Sequence, residues 1–327
     1  MIWNDVELFN VEEIEETGAG IRLYRFPKNI LNKIGIEYFN RYVARMTTGC
    51  EIRFVGEAMI TLGAMEEDGY VEIFRGDFQC RRQLIKKGEK TSIQLSYGQA
   101  IDKYPLKYNM QYSKDVWRVV FAHDFCGVIY DIDKYGQLRP PRKDEVPSKT
   151  ILAYGSSITH GANSNLYSLS YLARTGVLLN AQMLNKGMGG SCFCEKEMAN
   201  YIKTAECDCI MLELGANMIG VFPPDEFYKR ASYVVKCALN TGKKTVLISP
   251  YLNCKDFSSN DDERNLSEEF HKLCKKIASE HKDLLFIDGK TILSDVSQFT
   301  TDLTHPSMLG HNIMAEKLSI ALININF

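Results

Sequence analysis

Two domains of different class are predicted for the 327-residue chain: an antiparallel β-sandwich over residues 1–135 and a parallel α/β/α domain over 149–327, joined by a linker at 136–148. Three observations predict this. The first half carries short apolar or alternating runs set apart by Gly, Asp and Lys turns, the pattern of antiparallel strands. Pro140, Pro141 and Pro147 then stand among charged residues, and proline interrupts both strand ladders and helices. Beyond them, apolar strands alternate with helical patterns, which implies a parallel sheet covered on both faces.

The sandwich strands start at Glu51-Ile-Arg-Phe-Val and run on through Ala58-Met-Ile-Thr-Leu-Gly. Tyr70-Val-Glu-Ile-Phe, Thr91-Ser-Ile-Gln-Leu, Val116-Trp-Arg-Val-Val-Phe and Gly127-Val-Ile-Tyr-Asp-Ile come after them. The aromatics Tyr70, Phe74, Phe78, Tyr97, Trp117 and Phe121 are expected mostly to fill the sandwich core. Arg81, Arg82, Lys86 and Lys87 read as a solvated strand edge, where charge discourages pairing with another sheet. In the second half the strands are Thr150-Ile-Leu-Ala-Tyr, Ala181-Gln-Met-Leu-Asn, Cys209-Ile-Met-Leu-Glu-Leu, Thr245-Val-Leu-Ile-Ser and Leu284-Leu-Phe-Ile-Asp. Helices are expected at 224–239 and 266–280. The first opens Pro223-Pro224-Asp225-Glu226, a proline-plus-acid start that suits the positive end of a helix dipole.

Hydrophobic residues at 45% and charged residues at 24% exclude a disordered chain, a collagen-like fibre and a small disulfide scaffold. A net charge of −2 provides no global attraction for nucleic acid or anionic membrane, so neither is an expected partner. No apolar run approaches the roughly 18 residues of a spanning helix. Met1-Ile-Trp-Asn-Asp-Val-Glu has neither the basic start nor the apolar stretch of a signal peptide, and the cytoplasm is the expected compartment. The ten cysteines are then expected to be reduced, most of them in apolar stretches. Cys192 and Cys194, like Cys207 and Cys209, are one residue apart, whereas zinc pairs leave about two to four between them; no metal is expected.

Ligands of open parallel sheets bind beyond the carboxyl ends of the strands. Gly155-Ser156-Ser157-Ile158-Thr159 comes after the first strand, Asn185-Lys186-Gly187-Met188-Gly189-Gly190 after the second and Gly215-Ala216-Asn217 after the third; Asp302-Leu303-Thr304-His305-Pro306 precedes the last helix. Acyl transfer to water needs a hydroxyl nucleophile, a base held in one tautomer and preplaced donors for an oxyanion. Ser157 at a strand-to-helix turn, His305 as base, the backbone at Gly189 and Gly190 and the amide of Asn217 meet those needs. Asp302 either orients His305 or leaves that job to a backbone carbonyl. Blander readings exist for each residue. Ser157 alone is a ready helix cap, and Asp302 a ready turn residue. His160 is expected at the pocket rim, His123 in the β domain, His271 and His281 on a solvated helix face, and His311 at the start of the last helix. The run Gly187 to Cys192 fails as a dinucleotide fingerprint, because Cys192 stands at its third glycine position and the next strand ends Glu213-Leu-Gly-Ala-Asn217 without a convincing ribose-binding acid.

Four blocks in order over residues 149 to 325 resemble the SGNH/GDSL hydrolase family: Gly155-Ser-Ser157, Asn185-x-Gly-x-Gly-Gly190, Gly215-Ala-Asn217 and Asp302-x-x-His305. Arg25-Phe-Pro and Gly49-Cys-Glu-Ile-Arg-Phe resemble the opening of the β-sandwich that precedes this domain in one bacterial subgroup. The resemblance implies a flavodoxin-like catalytic domain behind a jelly-roll-like sandwich. It implies Ser157 as nucleophile, His305 as base with Asp302, and Ser157, Gly190 and Asn217 around the oxyanion. The usual aspartate before the nucleophile is Ser156 here, and Met218 stands where many relatives have aspartate. The activity so implied is that of a cofactor-independent serine esterase for small, chiefly acetyl, esters of a carbohydrate or similar small molecule. The rival readings are an acyltransferase using the same serine, and a catalytically silent carbohydrate-binding protein. A homo-oligomer is left open.

Overall fold

The computed structural model describes residues 1–18, 20–35, 43–104 and 109–327. The chain divides into two units, Met1–Lys28 with Arg45–Ser148 and Asn29–Ala44 with Lys149–Phe327.

The first unit is built of antiparallel sheets. Its strands are β1 (Ile2–Trp3), β2 (Val6–Phe9), β3 (Glu13–Thr17), β4 (Gly20–Tyr24), β5 (Glu51–Val55), β6 (Ala58–Ala64), β7 (Gly69–Arg75), β8 (Phe78–Ile85), β9 (Thr91–Leu95), β10 (Val116–Phe121) and β11 (Gly127–Lys134). They form a six-stranded sheet in the order β1-β2-β5-β10-β7-β8 and a five-stranded sheet in the order β3-β4-β11-β6-β9. Alternate residues of both sheets, among them Ile52, Phe54, Ile60, Leu62, Val119 and Ile129, are buried in one apolar core. Short helical turns lie outside the sheets: α1 (Lys28–Leu31), of which only Lys28 belongs to this unit, and α2 (Ala100–Lys103).

The strands read from the sequence are all present, and β1 to β4 and β8 are added to them. The added strands are short or charged; Glu13-Ile-Glu-Glu-Thr and Phe78-Gln-Cys-Arg-Arg-Gln have no apolar alternation to reveal them. β8 closes one side of its sheet with Phe78 to Arg82 exposed, which fits the solvated basic edge. The aromatics divide. Trp117 and Phe121 are buried in the core, whereas Tyr70 and Phe78 are 37% and 41% exposed, with Arg82 stacked on Tyr70. Cations are buried instead: Arg53 is fully enclosed between the rings of Phe9 and Tyr112 and pairs with Glu51 at 2.8 Å. Burial alone would raise the Glu51 carboxyl, but Arg118 and Arg53 outweigh it and hold it down at about 2.

The proline-containing stretch before residue 149 is tied to this unit. Arg139 bridges to Val55, and its guanidinium meets Glu145 through two bonds of 2.7 Å. Residues 29–44, which the sequence assigns to the β half, group with the second unit, where the Gly35 N–H donates to Glu195 at 2.5 Å.

The second unit contains β12 (Lys149–Gly155), β13 (Ala181–Gly187), β14 (Cys209–Glu213), β15 (Lys244–Ile248) and β16 (Leu284–Ile287), all parallel in the order β13-β12-β14-β15-β16. That is the 2-1-3-4-5 order of a flavodoxin-like sheet, so the order reverses between β12 and β14. The helices are α3 (Ser157–His160), α4 (Tyr171–Leu179), α5 (Lys196–Thr204), α6 (Pro224–Leu239), α7 (Asp261–Ser279), α8 (Gly289–Ile292) and α9 (Met308–Asn324). α6 has the expected bounds. α7 begins five residues before the expected start, because its first turn is Asp261-Asp262-Glu263 capped by Asn260 and carries no apolar residue to mark it. Among the described residues, no helix is long and apolar enough to cross a membrane.

Candidate active site

The turn after β12 divides two tasks between adjacent serines. Ser156 is the cap of α3, its hydroxyl accepting from the Ile158 N–H. Ser157 is the first helical residue, so its N–H has no carbonyl one turn earlier to bond. With capping done by Ser156, the Ser157 hydroxyl is available, and its Oγ lies 2.7 Å from His305 Nε2.

His305 precedes α9 and is held by one side chain. Asp302 Oδ2 meets His305 Nδ1 at 2.7 Å, while its Oδ1 accepts from the backbone N–H groups of Thr304 and His305 and from the Thr300 hydroxyl. The turn places Leu303 in the left-handed region at φ 53°, a conformation these bonds hold in place. Burial would raise the Asp302 carboxyl; the bonds from His305, Thr304 and Thr300 outweigh it and keep it well below the carboxylate range. A carboxylate facing Nδ1 demands a proton there, which leaves the Nε2 lone pair for the Ser157 O–H.

The oxyanion candidates come from neighbouring strand ends. Asn217 Oδ1 accepts from the Cys192 N–H at 3.1 Å. Because a backbone N–H bonds only the oxygen of an amide, this fixes the orientation and leaves the NH₂ as the outward donor. Gly190 is exposed at φ 68°, a backbone that favours glycine. An added Cβ at the adjacent Gly189 would lie 3.7 Å from Ser157 Cβ, so this loop runs beside Ser157. A small cavity of about 110 Å³ opens next to Ser157 and Asn217, with Ile158, Ile219, Tyr251 and Lys255 in its wall.

The other histidines do not enter this relay, although an added Cβ at Gly189 would also lie 3.7 Å from His160 Nδ1. His160 is buried on α3, and His311 accepts from the Tyr171 N–H and contacts the Ala162 carbonyl from the first turn of α9. His271, expected on the solvated face of α7, is instead buried with Nε2 3.1 Å from Asp288; the helix places it inward beside Phe270 and Cys274. Disulfides are absent among the described residues, and no group of three acidic, histidine or cysteine side chains there could hold a metal.

Glu213 is the residue that sequence reasoning passes over, noting it only as the end of a strand. It is 1% exposed, its Oε2 accepts from the Ser156 N–H at 2.6 Å and from the Thr159 hydroxyl at 3.1 Å, and its Oε1 has no hydrogen-bond partner among the described residues. Burial pushes its carboxyl up to about 7, and the bonds from Ser156 and Thr159 pull it back only in part. The only signal in the sequence is an acid at the end of an otherwise apolar strand.

A flavodoxin-like sheet preceded by an antiparallel sandwich, with these blocks at the strand ends, defines a carboxylic ester hydrolase of the GDSL type. Residues 148–322 match the GDSL-like lipase/acylhydrolase family, and the chain belongs to that family. Solved structures share the fold over most or nearly all of the chain. The salicylyl-acyltransferase SsfX3 from a tetracycline biosynthetic pathway aligns with TM-score 0.79 and 14% identity, over 99% of this chain and 95% of that one. A family two carbohydrate esterase from Clostridium thermocellum, in complex with cellohexaose, aligns with TM-score 0.64 and 14% identity, over 98% and 99%. A carbohydrate esterase family 2 enzyme from Corynascus aligns with TM-score 0.59 and 14% identity, over 85% and 94%. A comparison with curated proteins gives no match.

Proposed function

We propose that the protein hydrolyses small acyl esters through an acyl-serine formed at Ser157. The observation that carries this reading is the continuous relay Ser157 Oγ, His305 Nε2, His305 Nδ1, Asp302 Oδ2, with 2.7 Å at each contact. In the first step Ser157 Oγ bonds to the ester carbonyl carbon as His305 Nε2 takes its proton. The negative charge on the former carbonyl oxygen is met by the N–H groups of Ser157 and Gly190 and by the Asn217 amide. Asp302 stabilises the imidazolium through Nδ1. Collapse breaks the bond to the alcohol oxygen, which leaves with the proton from Nε2. Water then repeats the sequence on the acyl-serine, releasing the acid and restoring Ser157.

The cavity of about 110 Å³ supports a short acyl group such as acetyl, since sites for drug-sized ligands are roughly 300–1,000 Å³. Carbohydrate esterases with this fold make acetylated saccharides the first alcohol class to try. The test is a p-nitrophenyl ester series of rising chain length, then acetylated oligosaccharides, with and without sugar alcohols as acceptors. Acetate is expected to be the best acyl group, and free acid the main product. Products dominated by transfer to the added alcohol would make the protein an acyltransferase. Failure of a fluorophosphonate to label Ser157 would overturn the reading of the site.

A further inference from the structure

We propose that Glu213 is a positioning residue for this hydrolysis, a proposal that rests on the reading of Ser157 as nucleophile: its side chain locks the turn carrying Ser157 onto the strand that leads to Asn217. The carboxylate reaches from the end of β14 to the end of β12, where Oε2 accepts the Ser156 N–H at 2.6 Å and the Thr159 hydroxyl at 3.1 Å. Ser156 and Thr159 flank Ser157 on both sides, so the backbone that aims both the Ser157 N–H and its Oγ is held at two points. Thr159 is itself shared with the Tyr171 hydroxyl at 2.8 Å, which ties the same turn to α4. The space is committed to this contact. A Cβ on Gly155 would fall 2.6 Å from Glu213 Oε2 and 2.3 Å from Thr159 Oγ1.

The opposite end of the residue serves the other donors. Asn217 lies four positions later, and its Oδ1 holds the Cys192 N–H, two residues past Gly190. Cys192 Sγ in turn faces the Glu213 carbonyl at 3.9 Å. One residue therefore lies between all three segments that supply oxyanion donors, and the reaction needs those donors set before charge develops. Enclosing a carboxyl group with one oxygen unpartnered among the described residues opposes folding, whereas an apolar side chain of this size would avoid that cost but leave the buried Ser156 N–H and Thr159 hydroxyl without their acceptor. The acceptor at Ser156 is what an apolar residue would not supply.

Three variants of the full chain test this. Glu213→Leu fills the space without an acceptor, and Glu213→Asp keeps the carboxyl group but withdraws it by one methylene. Both should lose at least tenfold in kcat with KM within about twofold of wild type, the pattern of a contact realised in the transition state. Glu213→Gln keeps a carbonyl facing the Ser156 N–H and should rescue kcat to within about threefold. If Glu213→Leu does not fold, Glu213→Asp carries the test. Wild-type kcat in a folded Leu or Asp variant would overturn the proposal, as would a Gln variant as impaired as the others. Ser157→Ala run alongside separates the two claims: if it keeps activity, the reading of the site fails, and if it loses activity while Glu213→Asp does not, only the positioning role fails.

Discussion

Replacing Asp302 by asparagine probes the relay at its most exposed point. The Asn carbonyl can still accept from Thr304, His305 and Thr300, so the turn around Leu303 survives. The second atom of the side chain is the one that changes. An NH₂ would stand 2.7 Å from His305 Nδ1, where the carboxylate oxygen was, and a donor there favours the tautomer with its lone pair on Nδ1. Nε2 then carries the proton and no longer accepts from Ser157. The loss of one charged hydrogen bond is worth about 1.5–3 kcal/mol, which is roughly ten- to hundredfold in rate. A fully buried aspartate in this role is worth about 10⁴. The Asp302 side chain is 47% exposed, so water replaces part of what is lost and the smaller range applies. Steady-state kinetics on p-nitrophenyl acetate should show kcat reduced about tenfold to hundredfold with KM little changed. A variant within twofold of wild type would refute the idea that Asp302 sets the tautomer. A variant as inactive as one lacking Ser157 would show that the aspartate does more than orient.

Ser157→Ala should fold and lose roughly three or more decades of kcat, checked on every ester the wild type cleaves. Asn217→Ala removes the proposed oxyanion donor and should lower kcat by about two to three decades; a change confined to KM would mean that the amide binds ground-state substrate. Glu213 makes stability depend on pH. Its carboxyl is raised from 4.5 to about 7, so the stability it contributes is full below pH 4.5 and is lost as pH rises through 7. Between pH 5 and pH 8 that loss is about 2–3 kcal/mol. Tyr171, Tyr251, Cys192 and Cys274 around it are pushed up by burial and stay neutral over this range. Urea unfolding of Glu213→Gln should lack this fall, and an unchanged pH dependence would refute the shift.

The order of classes along the chain is legible in the residues alone, because it rests on local periodicity: alternating strands first, then β12 to β16 alternating with helices. The chemistry-bearing blocks are legible as well, since a parallel sheet forces the residues after each strand onto one edge, whatever the details of packing. Partner choice is not. Of two adjacent serines the family-like block singles out Ser157, but that Ser156 takes over the cap of α3 and so leaves the Ser157 hydroxyl to meet His305, 148 positions away, is decided by the fold. His271 reads as solvated because its neighbours in sequence are charged, yet Asp288, seventeen residues on, encloses it. Residues 29–44 lie between strands of the sandwich in sequence and belong to the second unit through contacts such as Gly35 to Glu195. Glu213 reads as the polar end of an apolar strand; only the fold brings the Ser156 amide and the Thr159 hydroxyl to it and excludes the water that would otherwise keep it an ordinary carboxylate. Periodicity is written in consecutive residues, whereas hydrogen-bond partners and desolvation depend on distances that exist only after the chain has closed on itself.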